Sequence, residues 1–230
     1  MKTVKQKDFE GLIDNVYQTH CLLLQNAQKA VNLNLTMRNW LIGCYIVEFE
    51  QNGEDRAKYG ARLLEEMAKS IKTKKIRGLD IKTLRSCRIF YNTYPQIRGS
   101  VTTELQRTDF NNVNSIVFKN LPIRGSLTPE LKMSDNQDNV IRGTLTPELQ
   151  EEYPIPSEML LSRLSFSHFL EIIRKEDPLE RLFYEVETIK NNWSVRELER
   201  AMNTAMYVRT GLSKDKEAIV RSEMELMIDK

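Results

Sequence analysis

The side chains that could do chemistry in this chain point in two directions: a metal-assisted attack on a phosphodiester, or the holding of a polyanion by charge. The first would need an acidic residue followed by Asp/Glu-x-Lys, so that carboxylates hold Mg²⁺ and the lysine positions water. One formal match exists, Asp109 followed by Glu130-Leu131-Lys132. It fails on context. Glu130-Leu131 belongs to a phrase that recurs with Glu104-Leu105-Gln106 and Glu148-Leu149-Gln150, and no strand pattern surrounds it. His20 sits next to Cys21, so the two face different directions and cannot form an i, i+4 ligand pair. His168, between Phe166 and Phe169, reads as a packed or capping residue. Trp193 reads as a staple of a helix start. No Walker loop, dinucleotide fingerprint, zinc spacing or nucleophile elbow is present. The residues therefore predict no catalytic site, no metal, no cofactor and no small-molecule substrate.

The second direction is better supported. Net charge is only +2, but it is unevenly spread. Residues 56–98 carry 12 Lys and Arg against 3 Asp and Glu, whereas residues 164–230 carry 11 against 13. A local excess of this kind is the footprint of a polyanion partner. Within it, Lys72, Lys74, Lys75 and Arg77 form a basic connector suited to phosphates. Lys82, Arg85 and Arg88 lie on the helix that follows, where a DNA groove would be approached. The competing reading is a solvated surface on a small helical domain.

The elements that must position these residues follow from apolar spacing. Residues 8–32 predict one helix and residues 36–51 a second, capped by Asn34 or Thr36 and mostly buried. Gly43 within it suggests a close helix–helix approach. Residues 60–72 predict a helix with Leu63, Leu64, Met67 and Ile71 inward. Asp80 caps the next, which turns Ile81, Leu84, Cys87 and Phe90 or Tyr91 to the core. Helix, connector, helix over 56–96 is a helix-turn-helix pattern. In the C-terminal part, Asp177-Pro178 opens a helix that Asn191-Asn192 stops, and Ser194-x-x-Glu197 is a capping box for another that runs toward Gly211. A last helix from about Ser213 carries Ile219, Val220, Met224, Met227 and Ile228 as an apolar stripe suited to a partner or a homodimer contact. Between the halves, three copies of one phrase begin at Ile97, Ile123 and Ile141, irregularly spaced and separated by polar segments. They read as an insertion or linker grown by duplication, each copy a short extended piece.

Two stretches carry a resemblance. Leu35–Lys69, with Trp40-Leu41-Ile42-Gly43 and Tyr59-Gly60, and Ser165–Lys216, with Ser167-His168-Phe169-Leu170-Glu171 and Lys190-Asn191-Asn192-Trp193-Ser194-Val195, resemble the N-terminal domain of the YhcG family. The resemblance implies a helical domain that usually precedes a PD-(D/E)xK nuclease domain, and an association with restriction–modification systems. That nuclease domain is expected beyond residue 230.

The reading is thus a mostly α protein with helix-turn-helix or winged-helix-like packing, interrupted by a long low-order insertion. Its parts are 1–96, the insertion 97–160, and 161–230. The expected function is DNA binding or targeting within a nuclease-associated protein. The alternative is a protein-interaction or dimerisation module of such a complex that does not itself touch DNA. Three scattered cysteines, Cys21, Cys44 and Cys87, and no apolar run of about 18 residues predict a cytoplasmic chain with reduced thiols and no membrane partner.

Overall fold

A computed structural model describes residues 3–52, 62–107 and 155–210, with side chains over 9–51, 62–105 and 155–210. The described residues are mostly helical, with no β-strand among them. In chain order the helices are α1 (Thr3–Asn52), α2 (Leu63–Thr73), α3 (Ile81–Thr93), α4 (Ile97–Arg107), α5 (Ser157–Arg163), α6 (Phe166–Ile172), α7 (Pro178–Asn191), α8 (Val195–Asn203) and α9 (Met206–Thr210). The mostly α expectation holds. The strand pair that a winged helix would need is not among the described residues.

The first correction concerns α1, a single 50-residue helix where the spacing predicted two. A helix start at Asn34 or Thr36 would need the side chain to accept from an N–H of the following turn. Instead Asn34 Nδ2 donates to the Ala30 carbonyl and Thr36 Oγ1 to the Asn32 carbonyl, each at 2.8 Å. Both polar groups are satisfied one turn back, so nothing interrupts the backbone ladder.

From Thr36 onward α1 is a core helix. Met37, Trp40, Cys44 and Val47 are buried against Phe90, Tyr91 and Tyr94 of the α3 region. The crossing point is Gly43. A Cβ there would lie 2.1 Å from the Cys87 carbonyl oxygen and 2.8 Å from Tyr91 Cβ, so only hydrogen fits. Trp40 Nε1 then donates to the Tyr94 carbonyl at 2.9 Å, giving a partner to a carbonyl at the C-terminal end of α3. Phe90, Tyr94, Phe166 and Phe169 stack edge-on or tilted at centroid separations of 4.6 to 5.6 Å. These rings bring α6 onto α3. Tyr94 OH donates to Glu185 Oε1 at 2.5 Å, with both residues fully buried, and so joins α3 to α7. One continuous core thus draws on both halves of the chain.

Local signals set the helix ends in the C-terminal half. Asp177 accepts from Leu179 N–H at 3.0 Å, with Pro178 in the first turn of α7, and Asn192 ends that helix in the left-handed region at φ 50°. Ser194 and Glu197 exchange bonds as a capping box. Glu197 is held below the usual carboxylate range by its bonds to Ser194.

Three further expectations change. The helix from Ser194 does not reach Gly211: it breaks after Asn203, where Ala205 takes φ 49°, and restarts as α9. The break leaves Ala205 exposed and turns Tyr207 inward, its hydroxyl donating to Asp177 Oδ2 at 3.1 Å. Ile81, expected inward, is 38% exposed, because α3 meets its neighbours through Leu84, Cys87, Phe90 and Tyr91. The phrase beginning at Ile97 is not extended. It forms α4, with Ile97, Val101 and Leu105 buried at helical spacing and Ser100 Oγ 2.6 Å from Ser157 Oγ of α5. The copies at Ile123 and Ile141, the Asp109 and Glu130-Leu131-Lys132 match, and the last predicted helix lie outside the described residues.

Two substitutions test this packing. Gly43→Ala should destabilise the protein by at least the ~1–3 kcal/mol of ordinary overpacking, because the obstruction is backbone and cannot rotate away. Thr103→Pro, which writes the residue of the other two copies into α4, should cost about 3 kcal/mol. Urea denaturation followed by circular dichroism reads both.

Candidate nucleic-acid interface

The basic connector and the start of α3 are held out from the core by a small apolar cluster. Ile46 of α1, Leu64 of α2 and Leu84 of α3 are buried together, with Met67, Ala68, Ile71 and Leu79 packed around them. Leu63, Leu64, Met67 and Ile71 thus face inward as predicted, and the opposite side of α2 is left to charge. Residues 74–80 join the helices with Lys75 at φ 59° and Gly78 at φ 80°. A connector of that length exceeds the three to four residues of a helix-turn-helix turn. Asp80 caps α3 by accepting from Thr83 N–H at 2.7 Å, and this bond lowers its carboxyl pKa.

Between α2 and α3 lies an open groove. Its floor is apolar, from Ala68, Ile76, Leu79 and Ile81, and Lys69, Lys72 and Lys82 line it together with Glu65 and Asp80. The groove brings Lys72, from the end of α2, and Lys82, from the start of α3, to one feature. Arg85 follows Lys82 by three positions and so shares its side of the helix. Lys72, Lys74, Lys75, Arg77, Lys82 and Arg85 are all exposed. Arg88 differs. It is half-buried and its guanidinium lies 2.8 Å from Glu50 of α1, an ion pair that bridges the α1–α3 crossing. Lys69 also lines the groove, outside the residues that charge and helical spacing singled out as contacts. It was legible as one turn before Lys72 on the same helix, and it pairs with Glu66 at 2.9 Å.

The other residues singled out by type have structural settings. His168 closes the start of α6. Its Nδ1 accepts from Ser165 N–H at 3.1 Å, which leaves Nε2–H to donate to the Trp193 carbonyl at 3.0 Å. The ring is therefore neutral, and burial pushes its pKa below the ordinary histidine value. Trp193 is half-buried against the core, as a staple should be. Burial pushes the Cys87 thiol up to about 12, and Cys44 is also raised, so neither is a ready nucleophile. Cys21, on the outer half of α1, is only partly buried. Among the described residues no three His, Cys, Asp or Glu side chains converge as metal ligands, and no helix is long and apolar enough to cross a membrane.

Fold and groove together define an all-helical domain that carries a cationic helix–connector–helix. The family model described as the DUF1016 N-terminal domain matches residues 22–119 and 142–209, and the chain belongs to this family. A relative from Escherichia coli (strain K12) named "Putative nuclease YhcG" is 32% identical over 195 residues, which cover 84% of this chain and 44% of that protein. The chain thus spans less than half the length of the curated relative it matches. The family match is interrupted over 120–141, a stretch that contains the phrase beginning at Ile123. No solved structure matches the chain.

His168 gives a pH test of the fold around Trp193. In the unfolded chain a histidine takes up a proton near pH 6.5, whereas the buried ring resists it to lower pH. Stability from this group is complete above about pH 6.5 and is lost as the pH falls through the folded value. The melting temperature should therefore decline between pH 7 and pH 5, and His168→Gln should flatten that decline. The capping carboxylates Asp80 and Glu197, held low, act only at more acidic pH.

Proposed function

We propose that this chain is a DNA-binding or targeting module of a nuclease-associated protein, and that DNA phosphates run along the groove between α2 and α3. The observation that carries the reading is the pairing of Lys72 with Lys82 across one groove, flanked by exposed Lys74, Lys75, Arg77 and Arg85. Backbone contacts of this kind position a protein on a duplex without reading sequence. Arg88 has a lesser part, since Glu50 already neutralises it. The relative's name makes a nucleic-acid partner the natural one for a cationic surface. On this reading the chain is not itself the catalyst. It brings a nuclease or a restriction–modification assembly to DNA in the cytoplasm.

Fluorescence anisotropy with a labelled random duplex tests the proposal. Binding should weaken by roughly 0.9 log units per log unit of salt for each phosphate contact. Lys82→Glu with Arg85→Glu should weaken it at least tenfold at low salt, with the melting temperature unchanged. Arg88→Ala should leave affinity within about twofold and lower stability by about 1 kcal/mol or less, as expected of a part-exposed ion pair. Absence of binding at low salt, or equal loss in both variants, would remove the DNA reading. A second reading, an interaction module, is favoured by a different surface, the outer half of α1.

A further inference from the structure

Between residues 9 and 35, α1 carries a row of large apolar side chains that nothing in the described structure covers. Phe9, Ile13, Val16, Leu23, Leu24 and Val31 are each at least 50% exposed, and Phe9 reaches 63%. At 100° per residue these six fall within an arc of about 100°, the width of a face that packs on a core. His20, Ala27 and Ala30 lie in or beside the same arc. Asp14, Gln18, Gln25 and Lys29 lie opposite. The globular body approaches that opposite side, where Gln25, Lys29 and Asn32 line one open cavity with Leu161, Ser162 and His168. Among the described residues the apolar face is therefore turned away from the body.

We infer that this face is a homodimer interface, in which α1 packs antiparallel against α1 of a second copy about a twofold axis near His20. The area fits. With Leu12, Tyr17 and Leu35 at the margins of the arc, nine large apolar residues on this side of α1 are 40% exposed or more. At roughly 100 Å² each they offer on the order of 900 Å² per protomer, comparable to the roughly 800 Å² that a standard stable interface takes from each partner. An isolated patch of this size exceeds what a monomer usually leaves open. The face also fits itself. An antiparallel register centred on residue 20 sets Ile13 against Ala27, Phe9 against Val31, and Val16 against Leu24. Large residues thus meet smaller ones, and the same contacts occur twice, as a twofold interface requires. The only charged residues of the segment are Glu10, Asp14 and Lys29, none of them within the arc of the six, so self-pairing brings no like charges into contact. This pairing depends on α1 alone and stands apart from DNA binding at the α2–α3 groove.

Sedimentation equilibrium of the full chain without DNA tests it. The mass expected at tens of micromolar is twice the 26.9 kDa of one chain. Val16→Glu with Leu23→Glu should give a monomer of unchanged helical content. Leu22→Glu, on the other side of α1, and Val220→Glu with Met224→Glu, in the C-terminal apolar stripe, should remain dimeric. In a Cys21→Ser background, Ile13→Cys with Ala27→Cys should cross-link between chains on mild oxidation, and Ile13→Cys alone should not. A monomeric wild-type chain, or dissociation by the C-terminal pair or by Leu22→Glu, would overturn the interface. Cross-linking by Ile13→Cys alone would overturn its antiparallel direction.

Discussion

The fold depends on the close crossing of α1 and α3 at Gly43. A Cβ at that position would stand 2.1 Å from a backbone carbonyl, so the two helices can approach this closely only with hydrogen there. The close approach buries Trp40 deep enough to bond the Tyr94 carbonyl. It seals Cys44 and Cys87 away from solvent, and it brings Glu50 within reach of Arg88. It also fixes which side of α3 faces out, and with it the direction in which Lys82 and Arg85 project.

Around that crossing, a few buried polar bonds specify how the C-terminal half docks. Aromatic rings alone would tolerate several arrangements of α6 and α7 on α3. The Tyr94–Glu185 bond and the His168 link to Ser165 and Trp193 do not, since each leaves a buried polar group without its partner if the helices shift. Polar groups are thus committed inside. The excess positive charge is gathered on the connector and the outer side of α3, where water remains available to solvate it.

α1 serves two environments along one axis. Its second half is a core helix whose apolar residues meet α3, and its first half extends the same helix past the body with an apolar face outward. A long helix can do this because its backbone bonds are internal and need no support from neighbours. The cationic groove and the exposed face lie on different elements. A dimer through α1 would therefore leave both grooves open, and two modest electrostatic sites on one particle would raise the effective affinity for a long polyanion.

Much of the fold was legible in the sequence wherever a local signal acts by itself. Asp80, Asp177, Asn192 and the Ser194–Glu197 pair end or begin helices through bonds to residues two to four positions away. Gly43 announced a close approach, and the inward residues of α2 followed from their spacing. The charge excess that marks the candidate interface is a property of composition. Other features depended on residues distant in the chain. Asn34 and Thr36 carry cap-forming side chains, yet continuing the helix satisfies them equally well, and packing decided between the two. The phrase beginning at Ile97 became a helix because α5, some 60 residues on, gives its apolar face a surface to cover. Helical spacing puts Arg88 at the margin of the outward side of α3, and its pair with Glu50 across the crossing sets it further apart from Lys82 and Arg85. The sequence by itself determined the helical class, several helix ends and where the positive charge lies. Only the tertiary structure decided which apolar faces are buried and which cations stay exposed, because burial is settled by partners that linear spacing does not name.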